Sequence, residues 1–353
     1  MHIVLIVLST AFILSSVATL SKREEWWIRA FDFPYVHFTI LGLICLLAWL
    51  KFLPSGVFET SIFILVVGFV IYRIGVILPY TPLKRLAIPS SEPSVETIKI
   101  LSANVLMSNA DYDGLVKLVK QEQPDILLLV EADEKWTIAL KDAFTEHFPF
   151  QILHPLDNTY GMTFYSRLPI KESEIRFLIE ENVPSVHTKI QYPSGDWVQF
   201  YGLHPKPPAP GENLESTPRD AELVVVGRMA RESELPVIVA GDMNDVAWSH
   251  TTRLFMRISG LLDPRMGRGF YNTFHAEKPL LRWPLDHIFL SHHFRIASLK
   301  RKNSFGSDHF PIAIEVSLNP SIHAKASREL ANGEDLDEAQ AKLDKHLDST
   351  INR

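Results

Sequence analysis

The sequence is poor in cysteine and has no excess of positive charge. Among 353 residues there is one cysteine, Cys45, so a disulfide or a thiolate metal site cannot form within one chain. Cys45 lies inside an apolar run, where a small buried residue is expected. Lys and Arg total 35 against 41 Asp and Glu, which gives a net charge of -6. This balance does not favour a strongly basic nucleic-acid surface.

Two common catalytic signatures are also missing. No Ser or Cys lies in the strand-to-helix elbow that presents a hydrolase nucleophile. No Gly-rich loop is present that would cradle the phosphates of a nucleotide. A covalent hydrolase mechanism and a nucleotide-binding function are therefore not favoured.

Long apolar stretches are concentrated near the N-terminus. They run from about His2 to Leu20, from about Tyr35 to Leu53, and from about Val57 to Leu78. About twenty apolar residues in a helix span a hydrocarbon core of roughly 30 Å. A buried helical hairpin of a soluble protein is the alternative, but three such stretches in succession argue against it. We predict three transmembrane helices within residues 1–80, with Trp26 and Trp27 at the membrane interface.

The first stretch is interpreted as a retained helix, because no Lys or Arg precedes it and two more spans follow. Near the end of the third, Arg73 is expected to extend towards the head groups. We predict a multi-pass protein of a lipid bilayer, such as the bacterial inner membrane, with no obligate protein partner. Lys and Arg beside the spans favour a cytoplasmic catalytic domain, but Glu24, Glu25 and Asp32 leave its side unresolved.

The rest of the chain divides by composition. Residues 81–96 are rich in proline, which indicates a stiff linker without regular structure. Residues 97–320 alternate apolar strands with amphipathic helices and are predicted to form the catalytic domain. Residues 321–353 are rich in Ala, Glu, Lys and Asp, and are predicted to be a charged helix or a disordered tail without chemistry.

Within the catalytic domain, short apolar strands repeatedly end or begin at a polar residue. The clearest case is the run 235–240, which is followed by Gly241-Asp242-Met243-Asn244-Asp245. One such residue is ordinary turn chemistry. The recurrence predicts a functional site at one edge of the sheets. Its members are Asn104, Glu131, His204, Asp242, Asn244, Asp286, Asp308 and His309.

These residue types favour a particular chemistry. Several hard oxygen ligands without thiolates suit Mg²⁺ or Mn²⁺. Two histidines with carboxylates nearby suit orientation and proton transfer. Together they favour metal-assisted attack of water on a phosphoester.

The ordered set of motifs resembles the endonuclease/exonuclease/phosphatase superfamily. The matching stretches are Ser102-Ala103-Asn104-Val105, Leu129-Val130-Glu131, Tyr165-Ser166-Arg167-Leu168-Pro169-Ile170, Tyr201-Gly202-Leu203-His204, Gly241-Asp242-Met243-Asn244, Leu285-Asp286-His287-Ile288 and Gly306-Ser307-Asp308-His309-Phe310-Pro311. The resemblance implies an α/β fold, a four-layer α/β sandwich of two mixed sheets flanked by helices. It does not cover the three preceding transmembrane helices.

The resemblance also implies a role for each residue. Glu131 would be the principal metal ligand, with Asn104 and Asp308 helping to hold the metal or its waters. Asp242 would position or deprotonate the attacking water, and Asn244 would orient the phosphate. The remaining roles fall to His309 as a phosphate contact, Asp286 as the partner that fixes its tautomer, and His204 as a second phosphate contact or the acid for the leaving group.

The substrate remains open among three hypotheses. The first is a phosphatase or phosphodiesterase acting on a lipid phosphate, including polyprenyl pyrophosphates. The second is a membrane-tethered nuclease acting on nucleic acid. The net charge and the lack of a basic or aromatic DNA-gripping insertion argue against it. The third is an inactive membrane scaffold. The presence of all eight polar residues of the predicted site argues against it. No carboxylate partner for His204 can be identified.

Overall fold

A computed structural model describes residues 2–92, 95–319 and 330–351. The N-terminal region consists of α1 (His2–Leu20), the short α2 (Trp26–Arg29), α3 (Tyr35–Phe52) and α4 (Val57–Ile77). The three long helices are long and apolar enough to cross a membrane. They pack together around Phe12, Trp49 and Val66, while most of their outward apolar side chains are exposed. This is the pattern expected where lipid covers a helix bundle.

Arg73 on α4 does not extend to the membrane surface. Its side chain is fully buried between the three long helices. The guanidinium donates to the Tyr35 carbonyl at 2.8 Å, to Thr39 Oγ1 at 3.2 Å and to Ser16 Oγ at 3.3 Å. It also stacks on the Tyr35 ring, 3.8 Å from the centroid. The expectation that Arg73 reaches the head groups is therefore wrong, because hydroxyl and carbonyl acceptors inside the bundle satisfy it.

The remainder of the chain forms an α/β domain with a helix at its end. In order, its elements are β1 (Ile98–Asn104), α5 (Tyr112–Glu122), β2 (Ile126–Val130), α6 (Glu134–Phe144), β3 (Phe150–His154), β4 (Met162–Ser166), β5 (Ile170–Arg176), β6 (Ser185–Gln191), β7 (Trp197–Leu203), α7 (Thr217–Glu232), β8 (Val237–Asp242), α8 (His250–Ser259), β9 (Asp286–Leu290), β10 (Phe294–Arg301), β11 (Ile312–Leu318) and α9 (Gly333–Ile351).

Two mixed sheets pack face to face. The six-stranded sheet has the order β10-β11-β1-β2-β4-β3, and the five-stranded sheet has the order β5-β6-β7-β8-β9. Leu128 and Phe164 from the first sheet meet Phe200 and Ile238 from the second in one buried core. Helices α5 and α6 cover the outer face of the first sheet, and α7 and α8 cover that of the second. The predicted four-layer sandwich is confirmed.

The parallel strand pairs explain why polar strand ends come together. β1 and β2 are parallel neighbours in one sheet, so Asn104 and Glu131 emerge at the same edge. β7 and β8 are parallel neighbours in the other, so His204 and Asp242 emerge together. Strand β9 runs antiparallel to β8 and starts at Asp286, directly opposite Asp242. Neighbouring edges of the two sheets thus form one polar surface.

The proline-rich segment is not a free spacer. Between α4 and β1 the chain lies on the catalytic domain, where the Ile88 side chain is fully buried in the core between the sheets. The Ala87 N–H donates to the Met266 carbonyl, and the Ser91 N–H donates to the Ile296 carbonyl. The interpretation of residues 81–96 as a spacer is therefore wrong for its described part, because a buried side chain and sheet-edge hydrogen bonds fix it.

The C-terminal segment includes a packed helix. Within the described part of the predicted tail, α9 lies against α7 and α8, and Ala339 is fully buried between them. Arg257 on α8 forms a bidentate ion pair with Asp335, at 2.9 and 3.0 Å. Residues 320–329 and 352–353 of that tail lie outside the described residues. Of the two predicted alternatives, the described part is a helix.

The N-terminal helical region is joined firmly to the α/β domain. The Trp26 N–H donates to the Leu214 carbonyl at 2.8 Å, and the Trp248 indole donates to the Asp32 carbonyl at 2.8 Å. The Tyr80 hydroxyl donates to the Ala247 carbonyl at 2.6 Å. These contacts fix the loop between α1 and α3, and the segment after α4, against the loops that follow β7 and β8. The catalytic domain is thus held directly at one end of the helix bundle.

Candidate active site

Asn104 connects the two sheets at the centre of the polar surface. Its side-chain amino group donates to Glu131 Oε1 at 2.7 Å and to Asp242 Oδ2 at 3.1 Å. Its amide oxygen accepts the Leu106 N–H at 2.9 Å. The amino group therefore faces the carboxylates, and one buried amide fixes the distance between β2 and β8.

His309 and Asp286 form a buried pair. His309 Nδ1 lies 2.7 Å from Asp286 Oδ2, and His309 Nε2 lies 3.6 Å from Asp242 Oδ2. Burial alone would lower the pKa of His309, but the Asp286 and Asp242 carboxylates raise it to about 10. The raised pKa favours the protonated ring, in which Nε2 carries a proton. Asp286 Oδ1 is buried and has no hydrogen-bond partner among the described residues.

His204 lies on the other side of Asp242. Its Nε2 is 3.9 Å from Asp242 Oδ2, so Asp242 is the carboxylate that the sequence could not identify. Its Nδ1 is buried without a hydrogen-bond partner in the part of the chain that is described. The Tyr160 ring packs on the imidazole with a centroid distance of 5.3 Å, and the Tyr160 hydroxyl donates to Glu212. The pair His204–Asp242 is looser than the pair His309–Asp286.

The turn after β8 is shaped by backbone conformation. Gly241 has a φ of +137°, and a Cβ there would lie 1.9 Å from the Leu203 carbonyl oxygen, so only glycine fits. Asn244 has a φ of +49°, its N–H donates to Asp242 Oδ1 at 2.9 Å, and its side chain donates to the Pro205 carbonyl at 3.0 Å. The turn therefore aims Asp242 into the site and ties the His204–Pro205 segment to it.

Several acidic groups around Asn104 are suited to a divalent cation. Asp242, Asp286 and His309 each offer a ligand atom within 4.8 Å of the others, and all three are buried. Glu131 and Asp308 are only half-buried and line the same cavity of about 370 Å³. The Asp308 carboxylate has no hydrogen bond or ion pair among the described residues. The site has more carboxylates than positively charged side chains. Such an excess of oxygen ligands suits a divalent metal such as Mg²⁺ or Mn²⁺.

The cluster of Asp242, Asp286 and His309 is not equivalent to the pair of Glu131 and Asp308. His309 and Asp286 are close together because they share a hydrogen bond, which occupies the ring nitrogen that faces Asp286. Glu131 has a φ of +60°, a conformation that a non-glycine residue rarely adopts without a functional reason. Glu131 and Asp308 both line the cavity and are half-buried, so their carboxylate oxygens are accessible from it.

All eight predicted residues lie in or beside this cavity, but sequence reasoning missed its apolar wall. Phe274 packs on the His309 ring at 4.9 Å, and Leu285 and Pro208 line the cavity nearby. Phe33 also lines it, although Phe33 belongs to the loop between α1 and α3. No periodicity or motif marks Phe33, Phe274 or Pro208 as cavity residues, and Leu285 stands in a motif only as the neighbour of Asp286.

A sequence model of the Endonuclease/Exonuclease/phosphatase family matches residues 101–309, which is more than half of the chain. The chain belongs to this family. The matched range begins in β1 and ends at His309, so it includes all eight site residues. In the comparison with curated proteins, none matches this chain.

Solved structures of the same fold are similar over the catalytic domain. TDP2 of D. rerio, complexed with single strand DNA product, is 20% identical with a TM-score of 0.52, and the match covers 63% of this chain and 99% of that one. An endonuclease/exonuclease/phosphatase from Beutenbergia cavernae is 15% identical with a TM-score of 0.53, covering 68% and 76%. A family protein from Bacteroides thetaiotaomicron is 18% identical with a TM-score of 0.50, covering 66% and 100%. These likenesses support the fold.

Proposed function

We propose that this family member is a hydrolase that cleaves a phosphoester with the help of Mg²⁺ or Mn²⁺. Glu131 and Asp308 would hold the cation, with Asn104 fixing Glu131 and the waters around it. Such a cation neutralises charge on the phosphate and makes an attacking water more acidic. The unpaired Asp308 carboxylate at the cavity surface supports this assignment.

The surrounding residues would carry the proton transfers and the phosphate contacts. Asp242 is oriented by the Asn244 N–H and is placed to accept a proton from the attacking water. His309, held as a cation by Asp286, would donate Nε2–H to a phosphate oxygen. His204 would make a second phosphate contact or protonate the leaving group. Asn244 would orient the phosphate.

The substrate we favour is a lipid phosphate. The observation that carries this choice is Phe33, which reaches the cavity from the loop between two candidate membrane helices. With Phe274 and Leu285 it gives the cavity an apolar wall beside the charged groups. A cavity that is apolar on one side and polar on the other suits a molecule with a phosphate and a hydrocarbon part.

A nuclease is the second candidate. The solved TDP2 of D. rerio holds a single strand DNA product on the same fold. The net charge of -6 argues against it, because binding a phosphate backbone usually requires many Lys and Arg side chains.

The test uses the full-length protein in detergent micelles, stripped with EDTA and then supplied with Mg²⁺ or Mn²⁺. Four substrates are compared: a polyprenyl pyrophosphate, a phospholipid, single-stranded DNA and duplex DNA. We expect metal-dependent cleavage of a lipid, abolished in Glu131→Ala and retained in Glu146→Ala, an exposed carboxylate far from the site.

The other outcomes have distinct meanings. Cleavage of DNA alone would replace the lipid substrate by nucleic acid. Undiminished turnover in Glu131→Ala would remove the metal assignment. If none of the four substrates is cleaved in a metal-dependent way, the inactive scaffold becomes the favoured hypothesis.

A further inference from the structure

A second cavity lies apart from the active site, where the last membrane helix meets the catalytic domain. Its volume is about 360 Å³. Gly75, Val76 and Pro79 line it on the membrane side, and Arg253 and Met256 of α8 line it on the domain side. None of the eight site residues borders it, so the cavity requires a separate explanation.

Arg253 brings a positive charge to this cavity. Its Nε donates to the Ser249 carbonyl of its own helix at 3.2 Å, and its side chain is half-buried. Within residues 2–92, 95–319 and 330–351, no carboxylate lies at ion-pair distance from its guanidinium. The nearby Asp32 carboxylate is paired with Arg29 at 3.2 Å. A half-buried cation without a partner favours an anionic ligand.

The neighbouring arginine shows the contrast. Arg257 lies one turn further along α8 and borders the same cavity, but its Nε and one terminal nitrogen donate to the Asp335 carboxylate of α9. The charge of Arg257 is therefore already compensated. Arg253 is the guanidinium whose two terminal nitrogens remain open to a ligand with several acceptor oxygens.

The surrounding sequence also favours an anion. No Asp or Glu occurs between Glu59 and Glu92, whereas Lys84 and Arg85 follow α4 and are exposed. Leu83, beside them, has 84% of its surface exposed. Exposed basic and apolar residues at the end of an apolar helix are typical of the head-group region of a membrane.

The cavity continues onto the surface of α4. Gly75 lines the cavity, and a Cβ built on it meets no atom within 4 Å, so there is open space beside the helix at this point. Because α4 is apolar along its length, a hydrocarbon chain can lie in this space while a charged head group reaches α8. The cavity therefore has an apolar part beside α4 and a cationic part at Arg253. A phospholipid has a matching hydrocarbon chain and charged head group.

We propose that this cavity binds an anionic phospholipid, with its phosphate on Arg253 and one acyl chain along α4 at Gly75. The lipid would stabilise the junction between the membrane helices and the catalytic domain. This site is independent of the active site, and the proposal does not depend on the reaction.

The experiment uses the full-length protein, delipidated in a neutral detergent. Native mass spectrometry counts the retained lipids after addition of phosphatidylglycerol or phosphatidylcholine, and thermal unfolding measures the shift in Tm. We expect phosphatidylglycerol to be retained preferentially and to raise the Tm. Arg253→Gln should weaken its binding about fivefold, since a Lys or Arg near an anionic lipid surface contributes about that much.

Arg231→Gln is the matched control, because it removes the same charge from an exposed position on α7. Gly75→Trp is the second variant, which fills the space beside α4 without changing charge. It should weaken binding of phosphatidylglycerol whether or not Arg253→Gln folds. Equal retention of both lipids by the wild type would overturn the proposal. So would Arg253→Gln or Gly75→Trp binding phosphatidylglycerol as well as Arg231→Gln does.

Discussion

At the scale of single residues, the candidate active site is built from groups that would be poor choices for packing. Asn104 and Asp242 are almost completely buried, and Glu131 and Asn244 have positive φ values. Burying such groups is unfavourable unless they bind one another, and here the amide and the carboxylates do so. These residues were predictable from sequence, because a polar residue that ends an apolar strand departs from the core pattern.

The first prediction concerns the partner of His309. Asp286→Asn should lower kcat by roughly 10–100-fold, the usual effect of removing a carboxylate that orients a functional histidine. The reason is that Asp286 both fixes the ring and raises its pKa. Steady-state kinetics over a range of pH measure the effect. Asp196→Asn, an exposed turn residue, is the control. A wild-type rate and pH profile in Asp286→Asn would contradict the pairing.

The second prediction concerns a buried carboxyl outside the site. Burial raises the pKa of Glu222 on α7 to about 8, and Oε1 has no hydrogen-bond partner among the described residues. Between the usual value of 4.5 and about 8, the folded protein keeps this proton and the unfolded chain loses it. Stability should therefore fall as pH rises through this window, by about 1.4 kcal/mol per pH unit from this group.

Glu222→Gln has a neutral side chain in both states, so it should lack this loss. We expect its Tm to exceed that of the wild type near pH 8 and to approach it near pH 4. Thermal unfolding across this range provides the measurement, with the exposed Glu232→Gln as control. A Tm difference that does not change with pH would show that Glu222 is ionised in the folded protein.

At the scale of elements, central strands were predictable and edge contacts were not. β2 and residues 237–240 of β8 are apolar because both of their faces are buried. β3 and β10 lie at the ends of the six-stranded sheet, where β3 has no fully buried residue and the burial of β10 does not alternate regularly. The docking of Ile88 and of α9 escaped prediction for a different reason. Each depends on a surface that is distant in sequence.

The third prediction concerns Lys342, which ties α9 to two other parts of the chain. Its Nζ lies 2.7 Å from Asp220 and 2.9 Å from Glu24, and all three side chains are buried. Burial would raise the pKa of Asp220, but Lys342 and Arg219 hold it far below its usual value. Removing the lysine would take a positive charge away from the buried carboxylates of Asp220 and Glu24. Lys342→Met should therefore destabilise the protein by about 3–5 kcal/mol.

Lys345→Met is the control for this prediction. Lys345 also pairs with Glu24, at 2.9 Å, but its side chain is 46% exposed. Its loss should change the free energy of unfolding by less than about 1 kcal/mol. Thermal unfolding in detergent compares the two variants. Equal effects would show that Lys342 does not hold α9 and the loop after α1 together.

At the scale of the whole molecule, the N-terminal helical region and the α/β domain share one interface. Tyr35 and Tyr80, beside the ends of candidate membrane helices, pack with Trp248, which follows the Asp242–Asn244 turn. The active-site cavity lies directly beside this cluster, since Phe33 borders it. Three apolar helices and a polar sheet edge were each predictable. Their contact was not, because no local pattern encodes the packing of Phe33 on Trp283.

The fourth prediction tests whether this contact serves the substrate. Phe33→Ala should raise KM for a long-chain lipid phosphate about tenfold, because burying an aromatic ring against hydrocarbon contributes roughly 1.5 kcal/mol. It should leave kcat/KM for a short, water-soluble phosphoester nearly unchanged, since the polar groups of the site do not depend on the ring. Phe58→Ala, at an exposed position near the start of α4, is the matched control. An equal loss on both substrates would mean that Phe33 supports the fold of the cavity, and the apolar wall would then have no part in selecting the substrate.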